Sequence, residues 1–353
     1  MAGGTGGHIY PALAVAKRLQ AEDIRTVWLG SKQGLENRII PKHGIKLIRI
    51  LVSGLRGTGA RRWLAAPFLL SFALFQSLRA IWEERPSVVL GMGGFASGPG
   101  GLAAWINRTP LIIHEQNARA GSTNKILSRF ATQVFQAFPG TFQNVDAITV
   151  GNPLRAEIAA LSHAPRREQD PQYLNVLILG GSRGARFLNA HVPGALLAFE
   201  STLDTKQLRV RHQCGDAEIN DLRAHYLPLG ERVEVTAFIE DMAEAYEWAD
   251  LVICRAGAMT VSELAIAGRA SILVPFPYAT DDHQTLNARF LADQGAAVVL
   301  PQEDDFEQRL GAMLVELLED RQTLTEMARK ARDLATADAA EKVAARCREL
   351  VYG

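Results

Sequence analysis

The sequence predicts an α/β chain built from two doubly wound, Rossmann-like domains. Short β-branched runs alternate with helical patterns, the alternation restarts midway, and glycine clusters stand where strands hand over to helices. At 353 residues the chain also exceeds what one hydrophobic core ordinarily serves.

Taken in order, the chain opens Met1-Ala-Gly-Gly-Thr-Gly-Gly-His8, and the apolar spacing of 11–19 then predicts an amphipathic helix. A glycine loop of this kind should hang from a central first strand, and no such strand precedes it here. Losing about four buried apolar residues, at roughly 1.5 to 3 kcal/mol each, would cost an amount comparable with a domain's stability of about 5 to 15 kcal/mol. The expectation is therefore that the native protein starts before Met1, or that another segment fills the place. Apolar runs follow at 26–29, 46–52, 87–90 and 111–113, and after the polar stretch 162–171 at 176–179, 251–254, 272–274 and 297–300. Continuous runs of this kind are buried parallel strands. The run at 176–179 enters Gly180-Gly-Ser-Arg-Gly184 and then a helix, repeating the opening architecture. The expected domains are 1–154 and 155–336, facing a cleft, with a last helix at about 337–353 crossing back to the first.

Hydrophobic content of 48% with 22% charged residues describes a soluble globular protein. The net charge of zero hides an asymmetry: residues 1–160 carry 18 Lys/Arg against 8 Asp/Glu, and the remainder 20 against 30. A basic first half points to an anionic partner such as a membrane surface, a polyanion or a phosphorylated substrate. Three cysteines without metal-like spacing fit a reducing, cytosolic setting, and no charged leader with an apolar core marks the chain for secretion.

Three glycine clusters carry the functional reading: Gly3-Gly-Thr-Gly-Gly7, the stretch from Gly91 to Gly101, and Gly180-Gly-Ser-Arg-Gly184. At a helix start, exposed amides and the helix dipole favour phosphate, although glycine also serves simply to pack helix on strand. A dinucleotide is excluded on two counts. Ile9 stands where a third glycine belongs, and the strand ending at Ser31 lacks the acidic residue that holds a ribose. No cluster continues into Gly-Lys-Ser/Thr, so a P-loop is absent too. A nucleotide-sugar or a diphosphate is the better candidate. In the second half, Thr260-Val-Ser-Glu263 reads either as a capping box or as a ligand-facing helix end, with Glu263 accepting from ribose hydroxyls.

Gly3 to His8, Gly91-Met-Gly-Gly with Ser97-Gly-Pro-Gly-Gly101, His114-Glu-Gln-Asn117, Gly151-Asn-Pro-Leu-Arg155, Gly180 to Ala185 and Arg255 to Glu263 together resemble the MurG family along essentially the whole chain. The resemblance implies a GT-B glycosyltransferase. Such an enzyme moves N-acetylglucosamine from UDP-N-acetylglucosamine to lipid I, making lipid II with inversion at the anomeric carbon, as a peripheral protein on the cytoplasmic face of the bacterial plasma membrane. It implies donor-contacting positions at Thr5, Gly6, Gly7, Asn117, Arg155, Ser182, Ile239, Ala258, Met259, Thr260, Val261, Ser262, Glu263 and Gln284. Ile239 would meet the uracil through its backbone, Gln284 would read sugar hydroxyls, and Ser182 with Arg155 would approach the diphosphate. The first two glycine clusters would cradle the acceptor's pyrophosphate. Arg183 stands where the family more often has glutamine, Phe95 where tyrosine is common, and Ala118-Arg119 changes the loop after Asn117.

Transfer needs a base for the acceptor hydroxyl, and His8 at the first helix start is the candidate, with phosphate binding or loop capping as its other roles. Glu115 is the second candidate, against a purely structural burial at the strand end. No Asp-x-Asp triplet exists, so no metal and no cofactor is expected, helix amides and Arg155 meeting the leaving diphosphate instead. The apolar run within 61–75 is too short to span a bilayer. Flanked by arginines, it suits an interfacial helix on an anionic membrane surface through Trp63, Leu64 and Phe68, the other reading being a core helix. Nothing points to nucleic acid. An epimerase of UDP-N-acetylglucosamine and a non-catalytic nucleotide-sugar-binding module remain as alternatives.

Overall fold

The computed structural model describes residues 1–52, 60–164, 172–181, 185–200 and 208–353. The chain forms two compact units, Met1–Arg155 with Ala337–Gly353, and Ala156–Thr336.

Unit 1 runs α1 (Gly6–Gln20), β1 (Val27–Ser31), α2 (Glu36–Ile39), β2 (Lys46–Ile50), α3 (Ala60–Glu84), β3 (Val89–Gly91), α4 (Ser97–Ile106), β4 (Leu111–Glu115), α5 (Ser122–Leu127), β5 (Gln133–Gln136) and β6 (Ala147–Thr149). Among the described residues all its strand pairs are parallel, as a pair β1-β2 and a sheet β3-β4-β5-β6. Every residue of β4 is buried, which is why Leu111-Ile-Ile-His-Glu115 reads as a continuous rather than an alternating run. The chain's last helix, Ala339–Tyr352, belongs here: Val343, Ala344 and Cys347 pack on Val15 and Leu19 of α1.

Among the described residues no strand lies between β1 and β3. Met1 and Ala2 stand there instead. The Met1 amine donates to Leu90 O at 2.7 Å, Met92 N donates to Met1 O at 2.9 Å, and Trp28 Nε1 donates to Ala2 O at 2.9 Å. Burial lowers the amine from its ordinary 8.0 to about 5. The folded chain then binds fewer protons than the unfolded chain between those values, so this contribution is complete above pH 8 and is lost as pH falls. Burial also holds His114 near 4 and His212 near 3, against an ordinary 6.5, adding the same sign below pH 6.5. Urea midpoints for unit 1 are therefore expected to fall as the pH drops from 6.5 towards 4, where His114 takes a proton in the unfolded chain but not in the folded one. A midpoint constant across that interval would refute the assignment.

Unit 2 runs α6 (Ala156–Ala159), β7 (Leu174–Leu179), α7 (Arg186–Glu200), β8 (Leu208–Gln213), α8 (Ile219–His225), β9 (Val233–Thr236), α9 (Met242–Trp248), β10 (Leu251–Cys254), α10 (Ala258–Ala267), β11 (Ala270–Leu273), α11 (His283–Ala292), β12 (Ala297–Val299), α12 (Phe306–Glu319) and α13 (Arg321–Asp333); the last helix is thus α14. Among the described residues its six strands are parallel in the order β12-β11-β10-β7-β8-β9. The order reverses between β7 and β10, so the loops after these two strands sit side by side at the switch point where open α/β sheets take ligands.

Candidate functional site

In unit 1 the two glycine loops touch. Thr5 is the N-cap of α1 in an extended conformation (φ −111°, ψ 160°), so Gly6 and Gly7 open the helix with amides that have no intrahelical acceptor. The second loop approaches so closely that a Cβ on Gly94 would lie 2.2 Å from Gly3 O, and one on Gly93 would lie 2.9 Å from the His8 ring. The cluster from Gly91 to Gly101 therefore divides. Gly93 and Gly94 shape the loop, whereas Gly100 and Gly101 lie inside α4, where side chains would strike Met1 and Leu127.

Beneath the first loop sits Glu36, fully buried. Its carboxylate accepts from Ser31 N (2.8 Å), Ser31 Oγ (2.7 Å) and Gly4 N (3.2 Å), fixing the loop to the end of β1.

The His-Glu-Gln-Asn stretch ends β4 and meets the same place. His114 Nε2 lies 2.9 Å from Gly151 O, an acceptor only, so this nitrogen carries the proton. Gln116 Nε2 donates to His114 Nδ1 (3.1 Å) and to His114 O (3.2 Å), which fixes the amide's orientation. Gln116 Oε1 is thereby left to accept from His8 Nδ1–H at 2.8 Å. In the neutral His8 ring the lone pair is then on Nε2. Burial keeps His114 neutral, down at about 4, against the opposing pull of the Gly151 carbonyl and Glu115.

Glu115 is engaged on both oxygens. Oε1 accepts from Asn117 N (3.1 Å) and Asn117 Nδ2 (3.2 Å), and Oε2 accepts from Gly121 N (3.1 Å) and Asn124 Nδ2 (2.9 Å). Of the two roles the sequence leaves open, this geometry favours the structural one: Glu115 orders the loop that carries Asn117. Arg155 lies half-exposed at the end of unit 1.

In unit 2, Gly180 and Gly181 leave β7 beside the loop Arg255–Gly257 that leaves β10. Gln213 at the end of β8 donates to Gly181 O (3.1 Å) and Ala237 O (2.9 Å), tying together the loops after β7 and β9, the second of which carries the half-buried Ile239. Arg255 anchors its loop through Val274 O, Pro275 O (both 3.2 Å) and Gln302 Oε1 (3.0 Å). The capping box does not form: α10 begins at Ala258 with Gly257 as its N-cap, three residues earlier than a Thr260 cap requires. Ala258, Met259, Thr260, Val261 and Ser262 are its first turn and a half, Val261 pointing into the core. Glu263 instead accepts from Tyr246 Oη at 2.9 Å, and Gln284 Oε1 accepts from Phe276 N at 2.9 Å. Ser182, and the side chains of Trp63 and Leu64, lie outside the described residues.

On α3, Phe68 is 80% exposed, and Leu69, Leu70, Phe72 and Phe75 are exposed with it. Trp105 and Phe130, their tilted rings 4.8 Å apart, form a second exposed apolar group on α4 and after α5. No helix among the described residues is long and apolar enough to cross a membrane.

Residues 1–136 match the glycosyltransferase family 28 N-terminal domain, and residues 175–343 match its C-terminal domain. A protein of Chromohalobacter salexigens named UDP-N-acetylglucosamine–N-acetylmuramyl-(pentapeptide) pyrophosphoryl-undecaprenol N-acetylglucosamine transferase is 51% identical, over 99% of this chain and 95% of its own. The crystal structure of Acinetobacter baumannii MurG superposes with a TM-score of 0.86 at 44% identity, covering 99% of this chain and 98% of that one. A putative UDP-N-acetylglucosamine 2-epimerase from Listeria monocytogenes superposes with a TM-score of 0.68 over 98% of this chain and 94% of its own, at 14% identity, which shares the fold alone.

Proposed function

The chain belongs to the family 28 transferases that act on N-acetylmuramyl-(pentapeptide) pyrophosphoryl-undecaprenol, and from that premise we propose how its residues divide the reaction. The enzyme is a two-domain GT-B glycosyltransferase. It moves N-acetylglucosamine from UDP-N-acetylglucosamine to lipid I, forming lipid II for peptidoglycan.

In our reading the base is His8, and the observation that carries it is the lone pair that the hydrogen-bond chain from Gly151 leaves on Nε2. Nε2 takes the proton of the acceptor hydroxyl as its oxygen attacks the anomeric carbon from the face opposite the diphosphate. The bond from that carbon to the diphosphate oxygen breaks, the configuration inverts and UDP leaves. The amides of Gly6 and Gly7, with the second glycine loop, hold the acceptor's pyrophosphate. In unit 2 the start of α10 meets the donor's diphosphate, and Glu263, steadied by Tyr246, accepts from the ribose. The assay is labelled UDP-N-acetylglucosamine with a lipid I analogue: label on the acceptor supports this reading, inversion at C2 of the sugar supports an epimerase, and no turnover supports a binding module.

We further propose a peripheral seat on the cytoplasmic face of the plasma membrane, because exposed Phe68, Phe72 and Phe75 lie in the basic half of the chain. The protein is expected to pellet with anionic vesicles at low salt and to release at high salt. Phe68→Ser with Phe72→Ser should weaken that binding at least tenfold; a wild-type protein that stays in the supernatant at low salt would rule it out.

A further inference from the structure

Glu36 opens α2 and lies fully buried beneath the first glycine loop, where three glycines make room for it. A Cβ on Gly3 would lie 2.8 Å from its Oε1, one on Gly30 2.8 Å from its Cγ, and one on Gly34 1.8 Å from its Oε2. A side chain at any of the three would push the carboxylate out of place. Among the described residues its partners are two amides and a hydroxyl rather than a cation: Oε1 accepts from Ser31 N and Ser31 Oγ, and Oε2 accepts from Gly4 N. Bonds to a charged acceptor are the strong ones, and here all of them run toward the carboxylate. A glutamine of the same shape could not take its place, because the amide nitrogen would meet one of those N–H groups as a second donor.

The loop above is thereby pinned from two sides. Gly4, at a φ of +95°, gives its N–H to Glu36, while Gly3 O lies against Gly94. Further on, Thr5 O accepts from His8 N (3.2 Å) and Ile9 N (3.3 Å), so the amides of Gly6 and Gly7 are the ones the helix leaves for a ligand. We propose that Glu36 is a positioning residue for the acceptor: it touches no substrate, and by fixing Gly4 it sets where the amides of Gly6 and Gly7 meet the pyrophosphate. This role rests on the reading that those amides hold the pyrophosphate. His8 is held separately, through Gln116 at the end of β4. Loosening Gly4 therefore weakens acceptor binding more than it disturbs proton transfer.

The test is the steady-state kinetics of Glu36→Gln with a lipid I analogue and UDP-N-acetylglucosamine, and with inorganic pyrophosphate as inhibitor. The acceptor KM and the inhibition constant of pyrophosphate should rise together by on the order of tenfold, as expected for one lost bond to a charged group. The donor KM, and kcat with both substrates saturating, should stay within about twofold. Ser31→Ala removes one donor and leaves the carboxylate on its two amides, so it keeps the question open to measurement if Glu36→Gln does not fold; its acceptor KM should rise by about threefold. A lowered urea midpoint with both KM values unchanged would make Glu36 merely structural and overturn the proposal, as would an equal rise in the donor KM. A fall in the acceptor KM would show the buried charge repelling the pyrophosphate and would overturn it too. Pyrophosphate that does not compete with the acceptor in the wild-type protein would remove the underlying reading; competition there, with constants unchanged in the variants, would remove the role of Glu36 alone.

Discussion

Replacing His8 by glutamine is expected to lower kcat for sugar transfer by on the order of 10²- to 10⁴-fold, the usual contribution of a positioned general base, with affinity for UDP-N-acetylglucosamine unchanged. The side chain stands at the start of α1 against Gly93, and among the described residues its Nδ1 alone is committed, to Gln116. The companion variant Gln116→Glu keeps an acceptor for Nδ1–H, adds a charge beside it and gives up the donor to His114 Nδ1, so the acid limb of the pH–rate profile should move upward. A merely structural glutamine would leave that limb where it was. Near-wild-type turnover by His8→Gln, measured with saturating donor, would remove His8 from the chemistry.

Gly94→Ala is expected to have the largest effect on stability. Gly94 has a φ of +79°, and an alanine Cβ there would lie 2.2 Å from Gly3 O and 3.0 Å from Gly3 C and N. The neighbour is backbone, so no side chain can swing away. Left-handed strain costs about 1 to 3 kcal/mol and overpacking about 1 to 3 more, a large share of the roughly 5 to 15 kcal/mol that holds a domain together. Separating the two loops by even about 1 Å would also displace His8 and cost roughly 10²-fold in turnover. Urea unfolding and the transfer assay read the two effects; an unchanged urea midpoint would show that the loops are not packed as described.

The strands that the sequence discloses most plainly are those buried on both faces. Residues 176–179 and 251–254 fall within β7 and β10, neighbours at the middle of the unit 2 sheet. The strands it hides carry polar residues along them. β8 reads Leu-Arg-Val-Arg-His-Gln because Arg209 is exposed, Arg211 reaches Glu234 and Glu244, and His212 is buried but bonded to Tyr226 and Asn189. Glycine loops and helix starts are local signals, so His8 and Gly3 to Gly7 could be read directly. Glu36 and Gln116 could not: the amide that Glu36 holds is 32 residues away and the imidazole that Gln116 holds is 108 away. A lone glutamate or glutamine carries no periodicity of its own. The capping-box alternative fails for a similar cause, since the pattern fits two helix starts and the backbone at Gly257 selects the earlier.

The docking of α14 on α1 has a bearing on how the molecule is made. Val15 and Leu19 find part of their cover on Val343, Ala344 and Cys347, and Glu22 pairs with Arg348, more than three hundred residues later. A ribosome delivers α1 well before α14, so during synthesis α1 waits with part of its apolar stripe uncovered. The intervening unit, Ala156–Thr336, is contiguous and can collapse on its own as it emerges. Assembly in the order of synthesis therefore completes the later unit before the earlier one, and α14 acts as the latch on α1.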